Sequence, residues 1–261
     1  MAGAALLAAI ALAPLQAQPG AAPKSPVPDG LKAGTGAPFP KGQGAKLDSL
    51  PDWGGIWFVA FSRDPANRPA PPKLKGKYKI AYDAWRAQIA ANGGLDKSAR
   101  SHCSPPGMPM FMQLPQYPYE FLFTPGRVTI NQEAWMQTRK IWTDGRKHED
   151  DPDPSFYGDS IGHWEGGTTL VVESIGLNDT LPLQTGMTHS DKLKITERIH
   201  LDAKDKDLLI NEMTVDDPDA LEEPWHNVIT YRRDRYGKLL EFQCSENDRN
   251  PVDAQGNTLF E

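Results

Sequence analysis

The chain has 261 residues, with 24 Pro, 23 Gly and 39% hydrophobic side chains. That composition is too apolar for a disordered chain and too aperiodic for a collagen. Lys and Arg number 28 against 34 Asp and Glu, a net charge of -6, and no basic stripe marks a nucleic-acid partner.

In chain order, residues 1–17 come first (MAGAALLAAIALAPLQA). Their small-apolar run ends in Leu15-Gln16-Ala17, which reads as a signal peptide with its cleavage site, although the start carries no Lys or Arg. This predicts an exported protein, periplasmic or extracellular. The run is too short for a membrane helix, and no later stretch is apolar enough to span a bilayer, so no transmembrane segment is expected. Residues 18–50 hold Pro, Gly, Ala and Lys with few large apolar side chains, the composition of a flexible leader. The folded domain is expected over 51–261.

Within it, Gly55–Phe61 reads as a strand. Residues 78–92 place Ile80, Ala84, Trp85, Gln88 and Ile89 on one stripe before Gly93-Gly94, which predicts a single helix and its stop. The segment 103–118 has five prolines and alternating Met108, Met110 and Met112, read as a covering loop packed on the core. From Tyr119 onward strands separated by turn signals follow one another. Tyr119–Phe123 and Arg127–Glu133 flank Thr124-Pro125-Gly126; Gln137–Thr143 ends at Asp144-Gly145; Ile161–Glu165 and Thr169–Ile175 flank Gly166-Gly167. Lys192–Leu201, Asp207–Val215, Val228–Arg233 and Leu239–Cys244 complete seven to nine strands. Successive strands on short turns predict a mainly β fold, an antiparallel meander that closes into a lipocalin-like barrel and so removes its edges.

Alternation then sorts the polar residues. In 189–201 one face carries Leu193, Ile195, Ile199 and Leu201, so His189, Asp191 and Glu197, which share it, are expected inside. In the hairpin, Ile161, His163 and Glu165 share one face and Gly162 and Trp164 the other. Trp164 competes with Ile161 as the core anchor, and a two- or three-residue turn leaves the register open. A buried imidazole or carboxylate is costly unless paired or used. His163 and His189 are therefore read as general acid and base, oriented by Asp191, Glu165 or Glu197, with His148 as a further candidate. Arg146 and Arg127 are candidates for holding a substrate anion. Tyr119, Trp142, Trp164 and Tyr157 are candidates for an apolar lining.

The expectation is an exported enzyme doing proton-transfer chemistry of lyase, isomerase, dehydratase or hydrolase type on a small apolar or aromatic molecule. No HExxH, CxxC, GxSxG, P-loop or Rossmann pattern is present. No cofactor is expected. A divalent metal is left open, with His148, His163 and His189 as its ligands. The alternative is the same barrel carrying an apolar ligand without converting it. Oligomeric state is not legible. Cys103 and Cys244 are the two cysteines; an oxidising compartment would let them pair, the alternative being two buried thiols.

Two resemblances bear on this. Gly55-Ile56-Trp57 resembles the Gly-x-Trp opening of lipocalin-type barrels. Residues 51–247 resemble a family of exported bacterial proteins without an assigned function. The shared motifs are Pro51-Asp52-x-x-Gly55-x-Trp57, Cys103-x-Pro105-x-Gly107-Met108-Pro109, Thr124-Pro125-Gly126-Arg127-Val128 and Thr143-Asp144-Gly145-Arg146-x-His148. They continue with Ser160-Ile161-Gly162-His163-Trp164-Glu165-Gly166, His189-Ser190, Asp217-Pro218, Pro224-Trp225 and Cys244-x-Glu246-Asn247. The resemblance implies export and a β-rich fold, and marks His148, His163 and His189 as motif positions. The chain departs from the family at Gly167-Thr168.

Overall fold

The structure, a computed structural model, describes residues 44–60, 69–96 and 105–242, all within the unit Ala37–Glu261. The expected signal peptide, most of the leader, and both Cys103 and Cys244 lie outside the described residues. The described part is a closed barrel of nine strands in sequence order. These are β1 (Ile56–Val59), β2 (Tyr119–Thr124), β3 (Arg127–Gln132), β4 (Gln137–Trp142), β5 (Asp159–Glu165), β6 (Thr169–Ile175), β7 (Lys194–Leu201), β8 (Leu208–Asp216) and β9 (Trp225–Asp234). One helix, α1 (Gly76–Ala91), packs outside them.

The sheet departs from a pure meander at one junction. Eight neighbouring pairs are antiparallel, including β9 with β1, and β4 with β5 is parallel. The reason is topological. Strand direction must return to itself around a closed ring, so an odd number of strands requires a parallel pair. A parallel pair cannot be joined by a tight turn; it needs a crossover of about a dozen residues or more. The acid-rich segment 143–158 is that crossover. Gly158 ends it with φ +64, and a Cβ there would sit 2.3 Å from the Ile175 carbonyl oxygen, so only glycine delivers the chain into β5 without strain.

Alternation places Leu170, Val172, Ile195, Ile199, Leu209, Met213, Val215 and Ile229 inside the barrel. The covering segment is drawn into that core. Met108, Phe111 and Met112 are fully buried, and the carbonyls of Phe111 and Met112 accept hydrogen bonds from Tyr119 Oη (2.6 Å), Gln132 Nε2 (3.0 Å) and Tyr231 Oη (2.7 Å). Burial of each such side chain contributes about 1.5–3 kcal/mol.

Two expectations shift. No side chain of α1 is fully buried: Tyr78, Tyr82, Trp85 and Ile89 are half-buried and form its covered side, whereas Ile80, Ala84 and Gln88 of the expected stripe are exposed. Residues 239–242 of the expected strand Leu239–Cys244 are not in a strand. The hairpin turn has three residues: Glu165 pairs Thr169 and His163 pairs Val171.

Candidate functional site

Two polar centres stand out. The first lies inside the barrel. Glu197 on β7 and Arg139 on β4 form an ion pair with both side chains wholly buried. Arg139 Nη2 also donates to Ser174 Oγ (3.0 Å), which lies 2.7 Å from Ser160 Oγ, and Asn211 Nδ2 donates to the second oxygen of Glu197 (2.8 Å). Burial pushes the Tyr231 hydroxyl well above its ordinary pKa, with the nearby Glu197 carboxylate adding to the effect. Burial likewise raises Tyr119 and Tyr157. The centre is thus a charged pair held among neutral phenols and amides, in a core filled by Phe111 and Met112.

The second centre lies on the outer face of β5, β6 and β7, where the crossover meets the sheet. A groove of about 370 Å³ is lined by Lys147, His148, Ile161, His163, Val171 and Glu173 among others. His148 comes from the crossover and is largely covered. Its Nδ1 lies 2.8 Å from Asp159 Oδ2, at the start of β5, and its Nε2 lies 3.4 Å from Glu173 Oε1 on β6. The Asp159 carboxylate also accepts the Glu149 backbone N–H at 3.2 Å, which ties the crossover to the strand. Glu173 is about half exposed and reaches Lys194 with its other oxygen. The imidazole is therefore held against the Asp159 carboxylate on one side and covered by the half-exposed Glu173 on the other, beside an apolar floor of Ile161 and Val171.

Of the residues expected to face inward, Glu197 and His189 are buried. His189 Nδ1 lies 2.7 Å from the Ser190 carbonyl oxygen. Asp191 is exposed, because β7 begins only at Lys194 and the alternation does not run back through the preceding turn. His163 and Glu165 point outward. His163 is 67% exposed and Glu165 pairs with Arg198 at 2.8 Å, a contact that holds the carboxyl below its ordinary range. The reason is Trp164, which wins the inner face by packing on Trp53 and Phe123 at centroid distances of 5.4 Å.

The three motif histidines accordingly do not meet. His148 and His163 line the outer groove and His189 does not. Among the described residues no three His, Cys, Asp or Glu side chains converge as metal ligands. Around His148 the two carboxylates sit on different ring nitrogens, so they do not share one point with it.

The binding candidates also separate. Arg146 is held by Asp144, whose carboxyl that bond keeps low, and lies over the Trp142 ring at 3.8 Å. Arg127 also lies over the Trp142 ring, 5.7 Å from its centroid. Tyr119 is a core residue. Tyr157 packs on Phe111 and donates to Gln137 Oε1 at 3.0 Å. Trp164 and Arg127 share a pocket at one end of the barrel.

Sequence reasoning missed Asp159, Glu173, Arg139 and Asn211. Arg139 was findable, since alternation puts it on the same face of β4 as Ile141. Glu173 was findable as an acid on the outer face of β6. Asp159 carries no local signal, because its partner lies across the crossover. No family model matches this chain, and no curated protein matches it in sequence.

Proposed function

We propose that this protein is an exported small-molecule enzyme whose proton-transfer residue is His148, acting in the groove on the outer face of β5–β7. The observation that carries the reading is the clamp on its ring, 2.8 Å to Asp159 at Nδ1 and 3.4 Å to Glu173 at Nε2, inside a concavity with an apolar floor. A carboxylate on Nδ1 fixes the ring plane and tautomer, and imidazole is the side chain whose ordinary titration lies nearest neutrality. When Glu173 swings toward Lys194, Nε2 is presented to the groove and can give or take a proton at a bound substrate. His163, across the same groove, is a second imidazole for the return transfer.

Proton transfer alone serves elimination, isomerisation, dehydration or hydrolysis, and the groove volume suits a small apolar or aromatic substrate. The apolar leader over 1–17 supports export. The test is turnover on a panel of small aromatic and aliphatic esters, hydroxy acids and enones, comparing the wild type with His148→Gln and Asp159→Asn. Removing a positioned acid–base group costs about 10²- to 10⁴-fold in rate. The expected result is a loss of that size in kcat for His148→Gln and a smaller one for Asp159→Asn. Turnover that His148→Gln leaves untouched refutes the assignment.

A further inference from the structure

The strand register maps the floor of the groove that holds His148. On the outer face, Ile161 of β5 lies beside Glu173 of β6, and Glu173 beside Thr196 of β7. One step along, His163 lies beside Val171, and Val171 beside Arg198. Ile161 and Val171 are therefore diagonal neighbours and make one apolar strip between polar edges.

Every carboxylate on this patch is already committed. Asp159 holds His148 Nδ1 at 2.8 Å and the Glu149 backbone N–H at 3.2 Å. Glu173 lies 3.4 Å from His148 Nε2 and 3.5 Å from Lys194 Nζ. Glu165 is taken by Arg198 at 2.8 Å. Lys147 precedes His148 on the crossover, is exposed and lines the same groove, and among the described residues it has no ion-pair partner. The acids that follow, Glu149, Asp150 and Asp151, are exposed and are not in the lining. The groove is left with one surplus cation beside an apolar strip. A neutral guest would leave that charge unused, and a second negative group would meet Glu173. Successive Cα atoms are only about 3.8 Å apart, so a negative group seated on Lys147 keeps the rest of the same small molecule beside His148.

We propose that the substrates of this groove are small organic acids, a single carboxylate on an apolar body, with Lys147 as the residue that selects them. This rests on the reading of the groove as the catalytic site and adds the substrate class. Three probes separate charge from body: phenylacetate, the neutral phenylacetamide, and inorganic phosphate. Each is titrated into the full-length protein and followed by NMR at the Ile161 and Val171 methyls. Phenylacetate should bind more tightly than phenylacetamide by about three- to fivefold, the size of an ion pair at a partly exposed site. Inorganic phosphate should bind more weakly than phenylacetate. Lys147→Gln should bring the acid down to the affinity of the amide and leave the amide unchanged, while Lys147→Arg keeps the preference. Val171→Thr, close in shape, should weaken both organic probes, read at Ile161.

Equal affinity for acid and amide, failure of both to move the groove methyls, a preference that survives Lys147→Gln, or phosphate bound as tightly as phenylacetate would each overturn the proposal. These affinities do not depend on turnover. An acid preference lost in Lys147→Gln supports the ligand class even where His148→Gln leaves turnover untouched and the catalytic reading fails. Equal binding of acid and amide ends the ligand class even where His148→Gln abolishes turnover.

Discussion

The buried pair Arg139–Glu197 gives the sharpest test of how this barrel is held together. Both side chains have 0% exposure. Each charge therefore carries a desolvation penalty of several kcal/mol that only the partner and the surrounding hydrogen bonds offset. Replacing Glu197 by Leu leaves the guanidinium with Ser174 Oγ as its remaining acceptor and strands Asn211 Nδ2. Such one-sided loss costs about 3–5 kcal/mol. Arg139→Met leaves the buried carboxylate with Asn211 Nδ2 as a donor but no counter-ion, and should cost a similar amount.

Replacing both removes the charges together. Ser174 keeps Ser160 at 2.7 Å, and Asn211 is the one group newly without a partner, worth about 1–3 kcal/mol before the apolar gain is counted. The double variant should thus be more stable than either single one, with a coupling energy of about 3 kcal/mol or more. Urea unfolding of the four proteins measures it. Whole-domain stability is only about 5–15 kcal/mol, so the single variants are best measured in cool buffer. Single losses under about 1 kcal/mol, or a double variant no better than the worse single one, would refute the claim that this pair is desolvated and mutually dependent.

Three further outcomes follow from the geometry. Gly158→Ala combines a left-handed backbone with a 2.3 Å approach to the Ile175 carbonyl oxygen and should cost about 2–4 kcal/mol in thermal or urea unfolding. His163→Ala, at an exposed site, should stay within about 0.5 kcal/mol of wild type, and a larger loss would show that the ring is not on the outer face. Asp217 gives a pH signature. Burial raises its pKa, but the hydrogen bonds from Ser190, Ala220 and Asp219 outweigh that and leave it lowered. A lowered carboxylate contributes stability that is present above the ordinary value and is lost as pH falls through the folded value. The stability gap between wild type and Asp217→Asn should therefore narrow as pH falls from about 5 toward 2, and a gap that widens on acidification would contradict the assigned hydrogen bonds.

Where information is local, the amino-acid order was enough. The run Leu193, Ile195, Glu197, Ile199 has period two, and a strand turns period two into one face, so Glu197 was legible as an interior acid. The Gly93-Gly94 stop of α1 and the Gly166-Gly167 turn were legible because only glycine takes those backbone angles without strain; all four have φ between 58 and 92. The mainly β character and the closed barrel followed from the spacing of such signals, although the strand expected from Leu239 does not form over 239–242.

What needed the tertiary structure was every choice between two locally equal options. The hairpin offered Ile161 or Trp164 as its inner residue, and packing on Trp53, more than a hundred positions away, selected the tryptophan and turned His163 outward. The partner of Glu197 is Arg139, a side chain 58 positions away. His148 meets Asp159 and Glu173 because a nine-stranded ring cannot close without one parallel pair, and that closure lays the acid-rich crossover against β5 and β6. Periodicity reports which face a residue takes, but not which strand lies beside it.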